Sequence, residues 1–343
     1  MTSFLPTAIT RRGAVAAALL LATGLAAAQG DDKARVAQLK PKGFPSEPIE
    51  VNVVYPAGGG MDLNARLVAK YFEKWAGEKT VVMNRVGGAG LVGHTYLASQ
   101  APNDGHTVGV VANLIFGDSM LRSQNRWSYK NLEPIAFLNS EGLNLMVSSD
   151  GPYKDRSLKE LVELAKQKPG TIRVGILPGT AYEYMFEQIE QVTGAKFLKV
   201  PFQGGAPAVT ALLGGNIDLA AAYYGELRSF LDAKKVSVLA NSAGERSPLM
   251  TQVPTLNEAL GRQDVIWATT RWVAVPKGVS PERRQYLAAG FSAAARDPEL
   301  QAEFRKLGTT VGQNFPRTED LAAYLNKLAD LEHDFYVKSG RLK

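Results

Sequence analysis

Short β-branched runs broken by glycine and followed by helical periodicity recur along the chain. Residues 49–55 read as a strand that stops at Pro56, and Ala57-Gly58-Gly59-Gly60-Met61 is a glycine turn. Leu63, Leu67, Val68 and Phe72 then repeat at helical spacing, so a helix is predicted over 63–75 with Asp62 as its N-cap. Residues 80–83 are a second strand, glycines 87, 88 and 90 precede a helix beginning near Leu91, and 107–111 are a third strand. The middle repeats the grammar, with strands at 143–147, 172–175, 197–200, 218–222 and 236–240 and helices at 157–167, 180–192 and 206–213. A strand at 272–275 is followed by helices at 281–295, 298–307 and 318–336, the last capped by Thr318. With one strand before them, these three helices complete the first domain. Residues 31–48 are polar, punctuated by proline, and read as a leader.

Strand, glycine turn and helix in succession argue a parallel-rich α/β architecture. Its strand-to-helix loops collect unpaired N–H groups and helix-dipole charge at one sheet edge, where open α/β sheets bind ligands. Three loops have this form: Tyr55 to Asp62, Asn84 to Gly93, and Phe202 to Ala206. Their glycines keep side chains from standing between backbone and ligand, and an oxyanion, above all a carboxylate, suits such a site. The same glycines would also serve as plain tight turns.

A length of 343 residues fits two domains, and 45% apolar with 21% charged residues supports normal cores. The absence of cysteine removes thiol chemistry, disulfides and cysteine-ligated metals. Thr10-Arg11-Arg12-Gly13, the apolar run 14–28 and Ala26-Ala27-Ala28 read as a signal peptide over 1–28, hence export to the periplasm of a Gram-negative cell. The run is short for a membrane span, and Arg11-Arg12 matches a twin-arginine signal poorly. The formal charge is +6 with the basic residues dispersed, which argues against nucleic acid and suits small anions.

No catalytic motif appears, and the one cofactor-like run, Gly87-Gly88-Ala89-Gly90-Leu91-Val92-Gly93, reads loosely as a dinucleotide turn but follows Asn84-Arg85 rather than a strand directly, in a chain that reads as exported. Gly58-Gly59-Gly60 lacks dinucleotide spacing, and there is no phosphate loop, nucleophile elbow or zinc-protease motif. The histidines read as a surface residue near a helix start (His94), a turn residue (His106) and a solvated helix residue (His333). Glu183 and Glu187 read as a solvated helix face.

The chain resembles the tripartite tricarboxylate transporter substrate-binding proteins, the Bug family of extracytoplasmic solute receptors, over nearly its whole length after residue 28. The likeness lies in the order and spacing of several motifs. These are Val54-Tyr55-Pro56-Ala57-Gly58-Gly59-Gly60-Met61-Asp62 with Ala65-Arg66, Asn84-Arg85-Val86-Gly87-Gly88-Ala89-Gly90 with Gly93, and Ala101-Pro102-Asn103-Asp104-Gly105-His106-Thr107. Lys168-Pro169-Gly170, Val200-Pro201-Phe202-Gln203-Gly204-Gly205-Ala206-Pro207, Glu245-Arg246-Ser247 and Val253-Pro254-Thr255-Leu256-Asn257-Glu258 complete it.

The resemblance implies a two-lobed, type II periplasmic-binding-protein fold with a hinge, lobe 1 being 48–146 plus 268–343 and lobe 2 being 147–267. It implies a non-catalytic, monomeric receptor that needs no metal or cofactor and hands a small organic carboxylate to membrane permease subunits. A carboxylate sensor feeding a signalling partner and an exported enzyme on a carboxylated substrate are the alternatives. By resemblance the carboxylate lies against Tyr55, Ala57, Gly58, Gly59, Gly60, Met61 and Asp62, and against Val86, Gly87, Gly88, Ala89 and Gly90, held by backbone groups and bridging waters. The far end of the ligand would meet Gly179, Thr180, Ala181, Tyr182, Phe202, Gln203, Gly204, Gly205 and Ala206, together with Tyr224 and Glu226. The chain departs from the family pattern at Tyr55-Pro56, at Val86, at Asn103 and His106, and at Ala181-Tyr182-Glu183. The departures spare the glycines and alter positions that face the pocket.

Overall fold

The computed structural model describes residues 31–342 apart from 203, 264, 266, 308 and 310–315. The expected signal segment and Gln203 therefore lie outside the described residues. In chain order the first elements are β1 (Ile49–Val53), α1 (Gly60–Ala76), β2 (Thr80–Asn84), α2 (Leu91–Ser99), β3 (Thr107–Ala112), β4 (Leu132–Gly142) and β5 (Asn144–Ser148). Then come α3 (Leu158–Gln167), β6 (Arg173–Ile176), α4 (Ala181–Thr193), β7 (Leu198–Pro201), α5 (Gly205–Leu213), β8 (Ala220–Ala222) and α6 (Tyr224–Asp232). The chain ends with β9 (Val236–Asn241), α7 (Leu256–Leu260), β10 (Ala268–Pro276), α8 (Pro281–Arg296), α9 (Pro298–Lys306) and α10 (Thr318–Lys338). None of these helices is long and apolar enough to cross a membrane.

The first sheet has the order β2-β1-β3-β10-β4. β1 pairs in parallel with β2 and β3, and β10 runs antiparallel to β3 and β4. Its interior strand β3 is buried at every position, as β-branched runs covered on both faces must be. α1 and α8 cover one face, where Phe72 and Phe291 stack at 4.2 Å, and Trp272, Phe116, Leu321 and Leu325 fill the other. In the second sheet β5 lies between β8 and β9, and a parallel Val174–Leu219 bridge ties the β6–β7 pair to the approach to β8. Its core gathers Leu145, Leu161, Val174, Met185 and Phe186.

The chain passes between the sheets at two adjoining places. Gly142 pairs with Ala268 in the first sheet, and Asn144 pairs with Asn241 in the second. A Cβ on Gly142 would stand 2.3 Å from the Asn241 side-chain oxygen, so only glycine lets the two crossings touch. α10 forms a third link. Leu321, Leu325 and Ala329 belong to the first sheet's core, whereas Phe335 and Tyr336 pack with Tyr184 and Trp267 of the second. Between them the buried Glu332 accepts from Asn113 Nδ2 at 2.6 Å and from the Tyr336 hydroxyl at 3.1 Å. The last helix therefore belongs to both cores, not to the first alone.

Other differences from the sequence reading have local causes. β4 carries Pro134 and lacks clean alternation, so periodicity does not reveal it. Residues 31–39 are helical although polar, anchored by Val36, which is buried in the first core. α10 starts at Thr318 with Arg317 as N-cap, because the Thr318 hydroxyl is engaged by Ser292 at 3.0 Å.

Candidate functional site

β1, β2 and β3 all end at the same edge of the first sheet, so parallel pairing alone brings the first two glycine loops side by side. Asp62 ties them together, and it is not the N-cap. α1 begins at Gly60 with Gly59 as N-cap, and Asp62 sits in its first turn, 1% exposed. Its carboxylate accepts from the Gly58 N–H at 2.8 Å, from Arg66 Nε at 2.9 Å and from Asn84 Nδ2 at 3.0 Å. The other Asn84 amide hydrogen reaches the Tyr55 carbonyl at 2.9 Å, so one side chain holds both loops. The positive φ of the first loop falls at Gly58 (82°), while Gly59 has φ −76°, open to any residue.

Burial disfavours the charged Asp62, yet the hydrogen bonds from Arg66, Gly58 and Asn84 outweigh it and hold the carboxyl below its usual range. The stability this supplies is present above the unfolded carboxylate pKa and is lost as pH falls through the lower folded value. Asp62→Asn turns an amide donor toward donors and is expected to cost about 1–3 kcal/mol at pH 7. It should also shrink the loss of stability toward pH 3, which thermal unfolding at the two pH values measures.

In the second loop Gly88–Gly90 form a single 3₁₀ turn before α2. The Gly87 carbonyl accepts from Gly90 and Val92, and the Gly88 carbonyl from Leu91 and from the Arg122 guanidinium. Val86, Gly87 and Gly88 are exposed. His94 is buried, 1% exposed, with Nδ1 2.7 Å from Asp118 Oδ2, while Asp118 Oδ1 accepts from Arg122 at 2.7 Å. It is therefore not a surface residue: the loop folds back so that Gly93 packs on Val54, which buries the next position. His106 serves its turn, its backbone N–H donating to Asp104 Oδ1 at 2.9 Å, while its Nε2 accepts from the Ser46 N–H at 3.1 Å, and His333 is half-exposed.

The second sheet contributes the ends of β6, β7 and β8. Thr180 is the N-cap of α4, accepting from the Tyr182 N–H, and Glu183 accepts from the Gly179 N–H at 2.7 Å. Glu187 is paired with Lys199 and Arg341, so these two glutamates are not a solvated face. Ala181 and Tyr182 are buried, Phe202 and Gly204 are half-buried, and Ala206 is exposed. Glu226 gathers the rest. It accepts from the Tyr182 hydroxyl at 2.5 Å and from the Tyr223 N–H at 2.9 Å, and it lies directly over Gly205. Tyr224 opens α6 and is half-buried.

The residue that meets the first sheet is its neighbour Tyr223. Its ring packs edge-on against Tyr182 at 5.5 Å, and its hydroxyl is 2.5 Å from Thr269 Oγ1 on β10. Tyr223, Asp118, Arg122, Glu141 and Arg271 are absent from the sequence reading, and only the i,i+4 spacing of Asp118 and Arg122 offered a signal. Arg271, 6% exposed, donates to Asn139 at 3.0 Å and to Glu141 at 3.2 Å. Burial pushes the Glu141 carboxyl up to about 7 against the pull of Arg271, and the Tyr223 phenol up to about 12. Burial raises the phenols of Tyr55 and Tyr182 as well, so all three tyrosines remain protonated donors near neutral pH. No group of three or more acidic or histidine side chains able to hold a metal exists among the described residues.

Residues 64–324 match the tripartite tricarboxylate transporter family receptor, TctC. BugT of Bordetella pertussis is 27% identical over 271 residues, covering 78% of this chain and 82% of that protein. A TctC solute-binding protein from Polaromonas, solved without ligand, superposes with a TM-score of 0.72 at 27% identity, covering 87% of this chain and all of that one. An R. palustris protein solved with adipate gives the same TM-score at 23% identity, covering 87% of this chain and 98% of its own.

Proposed function

The chain belongs to the tripartite tricarboxylate transporter receptor family, and on that premise we propose that it captures a small organic carboxylate between its two sheets outside the cytoplasm and delivers it to a membrane permease. One observation carries this reading. Strand ends of both sheets open into helix N-termini at α1, α2, α4, α5 and α6, and Tyr223 of the second set already touches Thr269 of the first sheet. The first-turn N–H groups of α1 have no intrahelical acceptor, and of the loop donors Asp62 takes only that of Gly58. A carboxylate suits such donors, with Arg122 and Arg271 adding positive charge. The adipate of the R. palustris protein is a ligand of the same chemical class.

In this reading one lobe comprises 48–146 with 268–343 and the other 147–267. The crossings at Gly142–Asn144 and Asn241–Ala268 act as a hinge while both cores stay packed. Closure removes water from the carboxylate and strengthens its hydrogen bonds. The closed pair of lobes is also the surface that a permease reads. Export follows from the segment at 1–28, and the receptor works as a monomer without a cofactor.

Native mass spectrometry of the protein purified from its host should give a 1:1 adduct with the mass of an organic acid, lost on unfolding. Stripped protein mixed with a broad acid library and still free of adducts would count against the reading. Solution scattering with saturating ligand should give a smaller radius of gyration than without. An unchanged radius alongside tight binding would contradict the clamshell.

A further inference from the structure

We propose that the floor between the first two glycine loops is a hydroxyl-reading subsite, so that the preferred ligand is a carboxylate bearing a hydroxyl on the carbon next to its carboxyl group. The inference rests on the carboxylate reading above and specifies the ligand class of the same site. It starts at Gly90, where the absence of a side chain opens a small space. A Cβ there would lie 3.3 Å from the Tyr55 hydroxyl and 3.4 Å from His94 Cε1. Tyr55 and His94 therefore converge on one point at the start of α2, beside the loop backbone that would hold the carboxylate.

The two groups offer complementary hydrogen-bonding roles. His94 Nδ1 lies 2.7 Å from a carboxylate that can only accept, so Nδ1 carries a proton, and in the neutral ring Nε2 is then an acceptor. That Nε2 is buried and has no hydrogen-bond partner, a state that is unfavourable unless a guest fills it. The Tyr55 phenol is a protonated donor, and its hydroxyl borders the same point. Asp118, braced by Arg122, fixes the imidazole, and Arg122 in turn holds the Gly88 carbonyl. Tyr55 belongs to one of the departures from the family's loop pattern, and the carboxylate reading alone assigns its hydroxyl no specific partner.

A donor at that point and an unpartnered acceptor on the ring whose Cε1 borders it match a hydroxyl, which accepts from Tyr55 and donates to His94. An oxo group satisfies only Tyr55. A methylene satisfies neither and leaves the buried His94 Nε2 without a partner, which is how sites built to bind a hydroxyl reject its deoxy analogue.

Calorimetry on refolded, ligand-free protein with matched pairs tests this directly: malate against succinate, lactate against propionate, mandelate against phenylacetate, each with its 2-oxo acid. In the pair that fits the cleft, the hydroxy acid should bind at least about tenfold more tightly than the deoxy acid, with the oxo acid between them. Tyr55→Phe should reduce that ratio to about threefold or less. His94→Ala leaves buried Asp118 with one partner fewer and risks the fold, so Tyr55→Phe carries the test, its fold checked by circular dichroism. Equal binding of hydroxy and deoxy acids, or an unchanged ratio in Tyr55→Phe, overturns the subsite while the carboxylate reading stands. Failure of every acid to bind overturns both.

Discussion

Gly205→Val abolishes ligand binding while leaving a folded protein. A Cβ at this position would stand 2.4 Å from Glu226 Oε2 and 2.8 Å from its carboxyl carbon, so either the carboxylate or the start of α5 must move. Either displacement breaks the junction of the second lobe, because the same oxygen accepts from the Tyr182 hydroxyl and from the Tyr223 N–H. Losing two charge-assisted hydrogen bonds and the placement of two tyrosines should weaken binding by at least about a hundredfold. The overpacking itself costs about 1–3 kcal/mol, which a protein with two well-filled cores survives. Calorimetry beside a thermal melt checks it, with a cooperative but lowered transition and no heat of binding as the expected pair. Normal binding would move the functional surface away from Tyr182, Glu226 and Tyr223.

The second large effect concerns pH. Glu332 is buried between the two cores, and that burial raises its carboxyl to about 8, against the hydrogen bonds of Asn113 and Tyr336. A raised folded pKa means that the native state holds a proton the unfolded chain has released. Stability is then full below the unfolded value and falls as pH rises through the folded one, a loss on the order of 4 kcal/mol between pH 5 and pH 9. Glu332→Gln keeps the shape, accepts from Asn113, donates to Tyr336 and does not ionise. Its melting temperature should stay flatter from pH 5 to pH 9 and exceed wild type at the upper end. Glu141, raised to about 7, leaves a smaller slope of the same sign. Parallel melting curves for variant and wild type would contradict the neutral, buried carboxyl.

The sequence is legible where local chemistry decides the structure. The glycine loops after β1, β2 and β7 are where the turn residues place them. Ser157 caps α3 through a capping box with Glu160, as its spacing suggests. Parallel pairing then brings the first two loops to one edge without further information. Asp62 escaped because an acid beside a glycine turn reads as a cap, whereas its partners Gly58 and Asn84 come together only when two strands align. His94 read as exposed because nothing in the chain reveals Asp118 folding back over it. The sequence points to Tyr224 and not to Tyr223, since which of two adjacent tyrosines faces the other sheet depends on the orientation of the lobes. α10 joins both cores through Phe335 and Tyr336 at its far end, and a single amphipathic helix does not say which core each turn meets.

Thermal unfolding of refolded, ligand-free protein in the presence of mono-, di- and tricarboxylates and aromatic acids, each beside its uncharged amide, tests the central claim most directly. A ligand bound only by the folded state stabilises it by about 2.7 kcal/mol at a hundredfold excess over its Kd. A saturable rise of several degrees is expected with one class of acid and none with the matching amide, because the loop N–H groups and the two arginines select the negative charge. No rise with any acid, or an equal rise with acid and amide, would contradict it.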